Sequence, residues 1–134
     1  MRKSARRPPM SAEESALVLS AGQIVLADWR GDALPKEPNK RRPAVVVEDD
    51  GLFAPHYPNA ILVPLTEDGT FAIPELSVAI EPTGENGCTK ACWAVSHMVA
   101  ATSKVRLRPT SSKVTPHQLA QIRRQIGFAL GFGV

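Results

Sequence analysis

The pair Arg41-Arg42 stands directly before Pro43 and the apolar run Ala44-Val45-Val46-Val47. Proline is accepted at the first residue of a strand, and four consecutive apolar residues fit a strand buried on both faces. A guanidinium at Arg42 would then stand at the mouth of a loop on a rigid support. Its planar fork of donors suits a phosphate there. The preceding loop, Arg30 to Arg41, carries six charges of both signs together with Pro35 and Pro38. That is long and exposed for a hairpin connection. Taken alone, the segment reads equally well as a solvated hairpin loop.

Other residue types could take part in such chemistry. Trp29 borders the charged loop and would stack on a nucleobase, whereas Trp93 reads as core. If residues 91–102 form one strand, Trp93, Val95, His97 and Val99 share one face, and Cys92, Ala94, Ser96 and Met98 the other. His97 is then either a core histidine with a backbone partner or a proton-transfer group. Lys104, Arg106 and Arg108 add cations after this strand, and Arg2, Lys3, Arg6 and Arg7 form an N-terminal cluster. The formal net charge of +3 is compatible with a nucleic-acid partner, though each cluster also suits an ordinary solvated surface.

Cys88 and Cys92 are four apart, which on an extended segment separates their Cα atoms by roughly 13 Å. A disulfide needs about 7 Å or less, and one zinc could not be shared without a turn between the two. Free, reduced thiols are therefore expected, with no metal and no cofactor. No apolar run approaches the ~18–20 residues that span a bilayer. Glu13 and Glu14 interrupt what would be the apolar core of a signal peptide. The expected location is the cytoplasm.

The elements that must position these residues form one domain at 134 residues. Residues 1–12 read as a basic disordered tail and 13–134 as the folded domain, with a short helix begun by Ser11 as N-cap and Glu14 as its box partner. Strands are expected at Gly22–Trp29, Pro43–Glu48, Ala60–Leu65, about Glu75–Ile80, and Ala91–Thr102. Turn signals at Asp49-Asp50-Gly51, Glu67-Asp68-Gly69 and Gly84-Glu85-Asn86-Gly87 separate them. Lys104–Arg108 is expected to make one helical turn before Pro109. Short strands with turns between them point to a small antiparallel barrel or sandwich. A final helix starts at N-cap Thr115 with Pro116 in the first position and Gln118 completing the box. Leu119, Ile122, Ile126 and Leu130 form its apolar stripe.

The order Gly22-x-Ile24-Val25, Glu37 five residues before Arg42-Pro43-x-Val45-Val46-Val47, Val63-Pro64-Leu65-Thr66, a late strand, Arg106-Leu107 and a C-terminal helix resembles the MazF/PemK family of toxin endoribonucleases. The Lys36-Glu37-Pro38 and Lys40-Arg41-Arg42-Pro43 loop and the Trp93-to-Thr102 strand look most like its YifN-type branch. The resemblance covers about residues 22–132. It implies a small antiparallel SH3-like β-barrel or sandwich with a C-terminal α-helix. It also implies metal-independent cleavage of single-stranded mRNA that leaves a 2′,3′-cyclic phosphate.

Such cleavage needs a base for the 2′-hydroxyl, a cation for the phosphorane and an acid for the 5′-oxygen. Arg42 matches the family's arginine as the cation, against an alternative as a structural ion pair. Thr66 matches the threonine that donates to a phosphate oxygen, against a local turn bond. Glu37 matches the carboxylate that accepts a proton or holds Arg42, against a plain surface carboxylate. Ser96 and His97 stand where relatives carry a charged or amide pair, which makes His97 a catalytic candidate. Trp29, Lys36, Lys40, Arg41 and Ser96 are candidate RNA-binding residues. The implied partners are single-stranded RNA, an acidic antitoxin protein and a second copy in a homodimer. Two other functions fit the same outline: a gyrase-binding toxin like the related CcdB proteins, using the apolar tail Gly127–Val134, and a catalytically decayed RNA-binding barrel.

Overall fold

The structure, a computed structural model, describes residues 17–29, 41–81 and 91–133. The expected tail 1–12, the helix begun by Ser11, the loop bearing Lys36, Glu37 and Lys40, the Gly84-Glu85-Asn86-Gly87 turn and Cys88 lie outside the described residues.

Alternation of buried side chains builds the centre. β1 (Gln23–Asp28), β2 (Arg41–Val46) and β3 (Asn59–Thr66) form an antiparallel meander, with Val25 opposite Ala44 and Val45 opposite Val63. Ile24, Val45, Val63 and Leu65 fall into one apolar cluster, and Val25, Ala44, Val46 and Leu62 into a second. The Ala44–Val47 run is thus buried on both faces, as its lack of alternation requires. β4 (Ser77–Ile80), β5 (Cys92–Val95), β6 (Ala100–Ser103) and β7 (Leu107–Lys113) complete a seven-stranded antiparallel sheet. The strand order is β4-β5-β3-β2-β1-β7, with β6 also paired to β3. This open sheet with one C-terminal helix is the expected fold class.

Two differences from the sequence reading matter. The strand expected at Ala91–Thr102 is broken into β5 and β6 by a 3-10 turn at Ser96–Met98. Both halves run along the same edge of β3. Leu65 faces Ala94, and continuing that register would set His97 opposite Leu62, but Ala100 takes that place. Three residues are therefore extruded. β3 accommodates the break at Pro64, which lies between the two pairings. The Val47 amide donates to the Ile61 carbonyl at 3.0 Å, so odd-numbered β3 residues face β2 and Pro64 faces the gap. A missing donor is tolerated there. Second, the helical turn expected at Lys104–Arg108 ends at Arg106, and its last residues begin β7.

The helix α1 (Pro116–Ala129) starts as expected. The Gln118 amide donates to the Thr115 hydroxyl at 3.0 Å, and the Thr115 amide to Gln118 Oε1 at 2.9 Å. Ile122 is fully buried against the first cluster, with Leu119 and Ile126 packed beside it. Leu130, expected in this stripe, is exposed because it is already the C-cap. Gly131 (φ 93°) turns the chain so that the Phe132 amide donates to the Gly127 carbonyl at 2.9 Å. The helix also covers the sheet edge: Gln118 and Gln125 donate through Nε2 to the carbonyls of Ala79 and Ser77 on β4, at 3.3 and 3.0 Å.

Candidate active site

The two cluster memberships place the chemistry on the face opposite the helix. Arg42 has the parity of Ala44 and Val46, and Thr66 that of Leu62 and Ala60, so both side chains leave the sheet on the second-cluster face. Ala44 faces Pro64, and continuing that register sets Arg42 opposite Thr66. Both line one cleft, together with Trp29, Phe71, Val95 and Met98. It is shallow, about 30 Å³, room for about two waters.

Each wall has an identifiable support. Trp29 Nε1 donates to the Thr102 hydroxyl on β6 at 3.1 Å, which fixes the indole beside Arg42 while its body packs on the second cluster. The Thr66 side chain is 8 % exposed, and its hydroxyl accepts from the Asp68 amide at 3.0 Å. This is the local turn bond weighed from sequence, and it does not exhaust the hydroxyl. The O–H hydrogen is left to donate to a ligand. Asp68 in turn caps the 3-10 turn Gly69–Phe71 by accepting from the Thr70 amide at 3.0 Å and the Thr70 hydroxyl at 2.7 Å. That turn delivers Phe71 to the cleft.

The other described candidates are not brought there. Arg41 is exposed and pairs in register with Asp28. Ser96 is completely buried and donates to Gln125 Oε1 at 2.6 Å, so it faces the helix and not a ligand. His97 is exposed, which corrects its reading as a core histidine. Strand alternation holds through Ser96, the first residue of the extruded turn, and fails at His97 inside that turn. The same turn carries Met98 to the cleft and leaves His97 outside the set of lining residues. Glu37, Lys36 and Lys40 lie outside the described residues. Among the described residues lining the cleft there is neither carboxylate nor imidazole. Phe71 and Met98 were missed from sequence. The Asp68-x-Thr70 cap was a usable signal for Phe71, whereas nothing local marks Met98.

A guanidinium and a hydroxyl donor lining one cleft, walled by apolar side chains, are an arrangement for gripping a phosphate and strengthening that grip as charge builds. The sequence model of the PemK-like, MazF-like toxins of type II toxin–antitoxin systems matches residues 20–130. No curated protein matches the chain. Among solved structures, MazF from Deinococcus radiodurans is 19 % identical at a TM-score of 0.61, over 86 % of this chain and 98 % of that one. A mycobacterial endoribonuclease solved with its cognate antitoxin is also 19 % identical, at a TM-score of 0.61 over 85 % and 96 % of the two chains. The toxin MazF-mt6 of Mycobacterium tuberculosis is 14 % identical, at a TM-score of 0.58 over 81 % and 95 %. At these identities the likeness is one of fold. The sequence match spans most of the chain, and on that ground the chain belongs to the PemK-like, MazF-like toxin family of type II toxin–antitoxin systems.

Proposed function

We propose that the protein is the toxin of such a pair and cleaves single-stranded RNA in the cytoplasm, with no metal in the reaction. The observation that carries this reading is the convergence of Arg42 and Thr66 on one cleft through the β2–β3 register. In the reaction the 2′-oxygen attacks the adjacent phosphorus and the bond to the 5′-oxygen breaks, giving a 2′,3′-cyclic phosphate and a 5′-hydroxyl. Arg42 and the Thr66 hydroxyl donate to the non-bridging oxygens, whose negative charge grows in the phosphorane. Glu37, five residues before Arg42, accepts the 2′-hydroxyl proton, and the leaving 5′-oxygen takes up a proton from solvent water. Trp29 offers an aromatic face to a neighbouring base, and Lys36, Lys40 and Arg41 draw the backbone toward the site. As a homodimer, two copies would share one groove for RNA. The neutralising partner is an acidic antitoxin, in keeping with relatives solved in complex with theirs.

Incubating purified protein with a long single-stranded RNA, with and without EDTA, tests the reading. Discrete fragments ending in a 2′,3′-cyclic phosphate should form equally in both. Intact RNA, or cleavage abolished by EDTA, would overturn it.

A further inference from the structure

The mechanism leaves one polar pair unused, a fully buried serine and a half-buried glutamine. Ser96 has no exposure, and its hydroxyl donates to Gln125 Oε1 at 2.6 Å. The same amide donates from Nε2 to the Ser77 carbonyl at 3.0 Å. One side chain on α1 thus holds both the edge strand β4 and the first residue of the extruded turn Ser96–Met98. Val95, the residue before the turn, has no side-chain capping bond. Val95 and Met98 line the cleft on the opposite face of the sheet. Without an anchor, three surplus residues could settle in more than one way along β3.

We infer that Gln125 is a positioning residue, whose amide latches Ser96 and so fixes the turn that presents Met98 and Val95 to Arg42 and Thr66. Only a carboxamide of this length accepts from the serine and donates to the strand together. Misplacing a cleft wall by about 1 Å can cost up to ~100-fold in rate. The inference rests on the proposed RNA cleavage for its kinetic arm and on geometry alone for its spectroscopic arm.

The test compares Gln125→Met, Gln125→Glu and Gln118→Met. Gln118 is the control, since it bonds the same strand and the helix N-cap but does not touch the turn. Wild type and variants are labelled with 13C-methyl methionine; the wild-type signals come from Met1, Met10 and Met98, and the one signal that each Gln→Met variant adds at its own position is assigned by comparing the two variants. Gln125→Met should shift the Met98 signal and lower kcat on single-stranded RNA ~10- to 100-fold with KM within about twofold, measured well below its melting temperature. Gln125→Glu, which still accepts from Ser96, should recover part of both. Gln118→Met should lower the melting temperature while leaving the Met98 signal and kcat near wild type.

If Gln125→Met does not fold, Ser96→Ala with Gln125→Met removes both partners and should regain stability. Its kcat should stay low, and recovery of kcat together with stability overturns the latch. An unmoved Met98 signal, or kcat equal to the control's, overturns it as well. If wild type cleaves no RNA, the proposed function fails, and the Met98 signal alone decides for or against the latch.

Discussion

Thr66 is the sharpest test of the proposed chemistry, because its hydroxyl has two separable uses. It accepts from the Asp68 amide at 3.0 Å, and its own hydrogen is left for a phosphate oxygen. Thr66→Val keeps the shape and removes both. The lost turn bond is partly buried and neutral, which sets the stability cost at about 1 kcal/mol, or a few degrees in melting temperature for a chain of this size. The lost donor to the phosphorane is worth more, about 2.7–4 kcal/mol, or ~100- to 1,000-fold in kcat. Because the bond strengthens only as charge develops, KM should stay near wild type. Thr66→Ser retains the hydroxyl and should keep kcat within several-fold. The assay is single-turnover cleavage of a defined single-stranded RNA well below the melting temperature, with folding checked by circular dichroism. Thr66→Val cleaving within threefold of wild type, with the expected loss of stability, would leave the hydroxyl only its turn bond.

Arg42→Ala should reduce cleavage ~100-fold or more with the fold intact, and Arg42→Lys should recover little because an ammonium lacks the planar fork. Near wild-type rates in the folded alanine variant would refute the assignment. His97→Ala should leave both melting temperature and cleavage within about threefold of wild type, as an exposed side chain outside the cleft; a loss of ~100-fold would return His97 to the chemistry. Thr115→Ala opens the capping box and should cost about 1 kcal/mol by denaturant unfolding, with an unchanged transition rejecting the cap's contribution. Light scattering at micromolar concentration should give about twice the 14.4 kDa of one chain, and a mass at 14.4 kDa would contradict the homodimer.

The elements that sequence revealed are those whose burial is decided locally. The central β1, β2 and β3 are apolar on the faces they bury, and α1 announces itself through Thr115, Pro116 and Gln118. β7 escaped because an edge strand needs no apolar alternation. Arg108, Pro109, Ser111 and Lys113 are exposed, and the strand is held by pairing with β1 and by the Thr110 hydroxyl bonding the Ile24 carbonyl at 2.6 Å. Arg42 and Thr66 were legible as a pair through the family's residue order. Their meeting depends only on the register of adjacent strands. Met98 was not legible. Its orientation follows from how many residues of the late strand fit along β3, a count set by partners about thirty-five residues away.

That count links the two faces of the sheet. An unbroken strand along β3 would place a residue opposite Pro64, which has no amide hydrogen to offer it. The buried carbonyl there would go unpaired at a cost of about 1–3 kcal/mol. The strand breaks just after Val95, the residue this register sets opposite Pro64, so the ladder ends where the proline offers no amide, and three residues are left to be stored. The Ser96 hydroxyl takes its bond from the helix side, so the turn can be sealed there without using a group in the cleft. Met98 then emerges beside Thr66, two residues beyond Pro64 on the same face. Val63-Pro64-Leu65-Thr66 therefore does more than deliver a hydroxyl: its proline stands where the neighbouring strand breaks, and the turn at that break supplies Met98 to the cleft that the hydroxyl lines.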